Sequence, residues 1–285
     1  SKKLMNSFQL YQNSCIECSE LITKRYSTSF SLGIRVFDKE FRNPIYSIYG
    51  FVRFADEIVD TFHQYNKQEL LADFRKETFK AIEQNISLNP ILQAFQQVVN
   101  EYQIDHQLIT DFLDSMEMDL HKTTYESEAL YQKYIYGSAE VVGLMCLQVF
   151  TKGDKKFYAE LAPYAKSLGA AFQKINFLRD ISSDLEERGR IYFPGIDLSK
   201  FDEYTKQEIL KDIQKDFDNA LEGIRLLPNG ARRGVYLAYV YYLNLYKNIR
   251  KASIEKILAE RIRVSDRRKA YLLMNTVVRN SMNLL

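Results

Sequence analysis

Tryptophan is absent from this 285-residue chain, and cysteine, histidine, proline and glycine are scarce. Each scarcity excludes something. The three cysteines, Cys15, Cys18 and Cys146, are too few and too odd in number for a disulfide framework, which points to a reducing compartment. Cys15 and Cys18 form one C-x-x-C. A zinc site wants a second pair and a redox site wants a βαβ setting, and neither is visible, so the pair reads as structural. His63, His106 and His121 are far apart and match no metal-ligand spacing. No run of eighteen apolar residues exists, so no segment is expected to span a bilayer. The first residues, S-K-K-L-M-N-S-F, lack the apolar stretch of a signal peptide, and a cytoplasmic location is expected. Charge of one sign is missing too. The net charge is +2, with basic and acidic residues interleaved, which argues against a nucleic-acid partner.

What is present is an ordinary globular balance, 46% hydrophobic and 27% charged, with 20 Tyr and 18 Phe. Such a set of rings suits either a ring-rich core or the wall of a large apolar cavity. With five Pro and eleven Gly as punctuation, helical periodicity dominates. Helices are expected over 7–25, from the Asn43-Pro44 cap to about 62, and over 67–86, 89–102, 105–120, 127–151, 155–187, 204–226, 230–252 and 266–284. Ser27 to Phe30 reads as a capping turn. No alternating β pattern and no linker interrupts residues 1–285. The expectation is therefore an all-α, single-domain bundle of about ten helices.

Two of these helices carry chemistry. In Y-G-F-V-R-F-A-D-E-I-V-D, Tyr49, Arg53, Asp56 and Asp60 are spaced four, three and four apart and share one helix face. Their neighbours are apolar nearly all round, so the helix should be buried. Buried carboxylates are costly unless paired or metal-bound. One such pair alone reads first as a plain solvated face or a local salt bridge with Arg53. A second segment, L-G-A-A-F-Q-K-I-N-F-L-R-D-I-S-S-D, repeats the device with Gln173, Asn176, Asp180 and Asp184 spaced three, four and four. Two carboxylate pairs on apolar helices suit hard divalent ions shared with phosphate oxygens. Di-iron bundles also pair carboxylates on helices, but through Glu and Glu-x-x-His, which this chain lacks.

These residues resemble the squalene/phytoene synthase family, head-to-head trans-isoprenyl diphosphate synthases, and the likeness runs over nearly the whole chain. Ser27-Thr28-Ser29-Phe30 is similar to the family's early S-x-S-F element. The segments 49–60 and 169–184 are similar to its two aspartate-rich motifs. Met118-Asp119-Leu120, residues 134–143, G-R-I-Y-F-P at 189–194, Tyr242, R-I-R-V-S at 261–265 and Lys269 are similar to its remaining pattern. There are three departures. Ser183 replaces the Glu of D-x-x-E-D, Ile175 replaces a common Thr, and Glu140 stands where Gly is common. Glu140 either turns outward or alters substrate handling.

The resemblance implies an isoprenoid-synthase-type bundle with a central apolar cavity. It implies magnesium, with manganese as a substitute, on Asp56, Asp60, Asp180 and Asp184. Arg53, Gln173, Asn176, Ser27, Ser29 and Arg190 would hold diphosphate or order the metal shell. Phe30, Tyr49, Tyr134 and Tyr242 would sit at the pocket, with Phe37 and the run 141–149 as further walls. Two prenyl diphosphates would be joined through a cyclopropyl-carbinyl diphosphate. Overall likeness favours phytoene from geranylgeranyl diphosphate. Dehydrosqualene, or squalene with NADPH, from farnesyl diphosphate are the alternatives. No G-x-G-x-x-G after a strand supports the reductive one. A non-catalytic assembly factor and an ordinary terpene cyclase or chain-elongating synthase are also conceivable. All four aspartates are kept, which argues against the first. The S-x-S-F and G-R-x-Y-x-P elements argue against the second. The greasy product suggests peripheral membrane contact. Oligomeric state is not legible.

Overall fold

Helices build the molecule because the sequence offers the backbone few other options. A computed structural model describes residues 6–121, 124–188, 192–196, 201–265, 268–269, 272–273 and 276, without the side chains of 185, 187 and 188. Among these there is no β-strand. The helices are α1 (Ser7–Tyr26), α2 (Thr28–Val36), α3 (Lys39–Asp60), α4 (Lys67–Gln84), α5 (Pro90–Tyr102), α6 (His106–His121), α7 (Glu128–Ile135), α8 (Val141–Phe150), α9 (Lys155–Arg188), α10 (Glu203–Leu226), α11 (Asn229–Lys251) and α12 (Ile254–Ala259). The expected helix over 266–284 lies largely outside the described residues.

Polar caps set many of the boundaries. Ser27 ends α1 and starts α2, its hydroxyl accepting from Phe30 N at 3.2 Å. Asn89 Oδ1 accepts from Ile91 N and Leu92 N, with Pro90 as the first helical residue. The parallel expectation for Asn43-Pro44 fails. The helix starts earlier, at Lys39, and Pro44 lies inside it. Pro44 falls early in the helix, where it forfeits one backbone bond, to Glu40 O, and its fixed φ is already helical. The expected single helix over 127–151 is also modified. A π-helical turn, Tyr136–Glu140, joins α7 to α8. Glycines on both sides let it seat closely. A Cβ on Gly137 would sit 2.6 Å from Asp111 O of α6, and one on Gly169 would sit 2.7 Å from Ala139 O. The short α12 carries too few residues to show a helical period.

Two apolar clusters result. One gathers α3, α4, α5, α6 and α8 around Phe51, Phe95 and Phe112, with Phe51 and Phe95 stacked at 3.9 Å. The other gathers α7, α9, α10 and α11 around Ile135, Ile175, Phe217 and Leu245. Residues of both clusters line one cavity of about 830 Å³. Lys174, nearly buried, ties α9 to α10 through Asp212 at 2.5 Å and Asp216 at 2.8 Å. Buried Lys206 donates to Ala252 O at 2.8 Å, closing the end of α11. No helix among the described residues is long and apolar enough to cross a membrane.

Candidate active site

α3 and α9 carry their polar stripes into the same cavity. Tyr49, Arg53, Asp56 and Asp60 line it from α3, and Gln173, Asn176, Asp180 and Asp184 line it from α9. Ser27, Phe30, Tyr134 and Tyr242 join them. Ser29 is half-buried but is not among the lining residues. Arg190 lies outside the described residues.

The carboxylates are held differently. Burial, then the neighbouring Asp60, pushes the Asp56 carboxyl up to about 7, with Arg53 only partly opposing. Asp180 is already neutralised: Arg179 grips both its oxygens, at 2.9 and 2.6 Å, and Arg261 Nε approaches at 2.9 Å. Asp184 is 5% exposed. Arg53 donates to both Glu57 oxygens, at 2.9 and 3.0 Å, and its guanidinium lies over the Tyr26 ring at 4.5 Å. Its Nε is buried with no partner. A buried donor left unmade is costly, so this atom is suited to a ligand oxygen.

A chain of amides and hydroxyls crosses the wall. Tyr242 Oη donates to Asn176 Oδ1 at 3.2 Å, Asn176 Nδ2 to Gln173 Oε1 at 3.4 Å, and Gln173 Nε2 to Ser138 Oγ at 3.1 Å. This fixes the amide orientations and places the π-turn's Ser138 in the site, as π-turns often do. Buried Asp119 accepts from Tyr125 Oη at 3.1 Å and Tyr134 Oη at 2.6 Å. Aromatic rings face the polar end. Phe172 stacks on Tyr242 at 3.9 Å, and Phe30 lies 5.8 Å from Tyr49 and 6.4 Å from Tyr242. Burial pushes the Tyr49 phenol up to about 12, so it stays neutral.

A family model for squalene/phytoene synthases matches residues 23–268. The chain belongs to the squalene/phytoene synthase family. It is 30% identical over 257 residues to the 15-cis-phytoene synthase of Synechocystis, covering 82% of this chain and 74% of that protein. It is 28% identical over 252 residues to the 4,4'-diapophytoene synthase of Staphylococcus haemolyticus, covering 81% and 86%. A solved dehydrosqualene synthase in complex with ligand shares the fold, with a TM-score of 0.82 at 24% identity over 97% of this chain and 100% of that one. The protein is thus a prenyltransferase of the family's type, which condenses prenyl diphosphates head to head.

For a squalene/phytoene synthase the three departures now have places. Ser183 lines the cavity and its Oγ donates to Asp180 O at 3.1 Å. Ile175 is fully buried in the core. Glu140 is not among the lining residues, and the charges that act on it are those of Lys166, Asp216 and Lys174. Of the run 141–149, only Val142, Gly143, Cys146 and Leu147 line the cavity, one face of α8.

Among the described residues no three His, Cys, Asp or Glu side chains converge enough to hold an ion alone. The donors instead come as two Asp pairs on two helices, which suits magnesium completed by water and phosphate oxygens. The crowded charge that raises Asp56 and the unmade Arg53 donor fit that same pairing of metal and diphosphate. Sequence reasoning placed Asp119, Ser138 and Arg261 only within family-like segments and gave them, like Arg179, no role of their own. Arg179 stood beside Asp180 in the motif, but nothing in the spacing told it from a solvated Arg.

Proposed function

We propose that this enzyme condenses two geranylgeranyl diphosphates to phytoene. The observation that carries the chain length is the character of the cavity wall away from the carboxylates. Gly33, Gly223 and Gly234 line it without side chains, among Phe37, Phe150, Leu161 and Leu227. A Cβ at Gly223 or Gly234 would collide with Tyr164 or Phe37, so these glycines let the two rings seat against the helices instead of standing farther into the path of a long hydrocarbon. The 30% identity to a phytoene synthase supports the same reading.

In this reading Asp56, Asp60, Asp180 and Asp184 hold magnesium, or manganese in its place. Bound there, the metal supplies the Lewis acidity that lets diphosphate leave. Arg53 donates from Nε to a diphosphate oxygen. Ser27, Gln173 and Asn176 orient the polar end, and Arg179 and Arg261 balance its charge. The rings of Phe30, Tyr49, Phe172 and Tyr242 offer π faces to the allylic cation. The apolar walls exclude the water that would quench it. Tyr134 and Asp119 form a fixed donor–acceptor pair on the wall.

A second reading, dehydrosqualene from farnesyl diphosphate, is supported by the staphylococcal relative, which is matched over more of its length. The test is a product assay with magnesium and each substrate separately. A forty-carbon hydrocarbon from geranylgeranyl diphosphate, lost with chelator, is expected. A thirty-carbon product from farnesyl diphosphate alone would move the assignment to the second reading. A product changed by NADPH would move it to squalene synthesis. No hydrocarbon from folded protein would leave only the non-catalytic reading.

A further inference from the structure

The cavity is bounded by two antiparallel helices that cross at glycines. Phe30 near the start of α2 and Phe37 just past its end both line it, about 10 Å apart along the helix. On α11, Tyr242 and Gly234 line it, eight residues or about 12 Å apart. The pairs match end to end. Phe30 lies 6.4 Å from Tyr242, at the polar end where Tyr242 meets Asn176. Gly234 meets Phe37 at the other end.

That second meeting is unusually close. A Cβ on Gly234 would overlap the edge of the Phe37 ring and sit 2.7 Å from Gly33 O. The ring is pinned on its other side as well. It packs on Phe150 at 5.3 Å, Phe150 packs edge-on against Phe41 at 5.6 Å, and Phe37 is only 5% exposed. The ring is the one side chain in that overlap and Gly33 O is backbone, so a methyl group at 234 displaces the ring and presses on the α2–α11 crossing.

We propose that Gly234 sets the depth of the prenyl cavity by giving the Phe37 ring its seat in the α2–α11 crossing, and so selects the chain length of the substrate. This deepens the phytoene reading and rests on it. The absent side chain at 234 draws the ring out of the hydrocarbon's path. A methyl group there pushes the ring into the cavity and shortens it. Removing the ring lengthens it. The substrate chemistry concerned is the terminal isoprene unit farthest from the diphosphate.

Two substitutions therefore act in opposite directions. Gly234→Ala should shift the kcat/KM ratio of the twenty-carbon to the fifteen-carbon diphosphate by about tenfold toward the shorter, as one missing methylene's worth of space does in an apolar pocket. Phe37→Ala should shift it toward the longer and admit a twenty-five-carbon diphosphate. The double variant should match Phe37→Ala rather than Gly234→Ala, because the methyl group then has no ring to displace.

The same order should appear in calorimetric binding of non-ionising thiolo-diphosphates of fifteen, twenty and twenty-five carbons, with magnesium. Folded Gly234→Ala with an unchanged ratio, or Phe37→Ala that gains nothing for the longer chain, would overturn the proposal. Should Gly234→Ala not fold, Phe37→Ala decides alone. A parent enzyme that binds these analogues but makes no head-to-head product would sink the functional reading while leaving the depth proposal to the binding series.

Discussion

Asp56 sits where burial, the neighbouring Asp60 and then Asp119 all resist its charge. Its side chain keeps 34% of its surface open within the cavity, so solvent screens part of that cost. A raised carboxyl means that the folded, metal-free protein keeps a proton the unfolded chain has released. Between about pH 4 and about pH 7 its stability should therefore fall as pH rises. Melting curves in chelator should show this decline, and Asp56→Asn should flatten it. A slope unchanged in Asp56→Asn would assign the effect elsewhere. The same variant, and Asp180→Asn, should lose turnover by at least about a hundredfold with helical circular dichroism intact. Normal turnover in either would defeat the role given to the aspartate pairs. These aspartates were legible in sequence because four-residue spacing on an apolar helix is a pattern. Asp119 stood out only as part of a family-like segment, and its role was not legible, because that role lies in two phenols six and fifteen residues away, which only the fold brings to it.

Among the elements, the π-turn between α7 and α8 depends on missing side chains. Gly137 faces Ser115 and Asp111 of α6, and Gly169 of α9 faces Ala139 within the turn. Gly137→Ala should destabilise by about 1–3 kcal/mol through overpacking against a backbone carbonyl. Denaturant titration measures this, and a change below a few tenths would show that the turn can shift freely. Helix periodicity cannot reveal such a turn. Its apolar pattern runs on from α7 to α8, and one extra residue in the hydrogen-bond ring leaves no compositional mark. Pro44 misled for a related reason. Asn-Pro reads equally as a helix start or as an early helix interior, and Asp38, a good N-cap type that does cap the helix, makes no side-chain cap bond. Asn89-Pro90, read by the same rule, does begin its helix.

For the whole molecule, a cavity lined from both apolar clusters means that one ligand touches both at once. Magnesium and a non-ionising diphosphate analogue should stabilise the fold together more than the sum of each alone. At a hundredfold excess over Kd the pair should add about 2.7 kcal/mol. Differential scanning fluorimetry checks this, and simple additivity would mean that metal and diphosphate occupy unrelated places. The all-helical architecture was readable from periodicity and from the scarcity of Gly and Pro. The cavity's depth was not, since it depends on which face of α8 and α11 turns inward and on how closely α2 crosses α11.

Asp180, gripped by Arg179 and Arg261, gives the resting protein a further property. This site aspartate has close cationic company supplied by the chain itself, as Asp56 has more loosely from Arg53 at 3.9 Å. Loading the proposed metal site would then be partly an exchange of partners rather than the filling of an empty bowl. Stripping a metal held there would return Asp180 to its guanidinium neighbours instead of leaving a bare charge. Inactivation by chelator should accordingly be a reversible resting state, from which added magnesium recovers full activity without refolding.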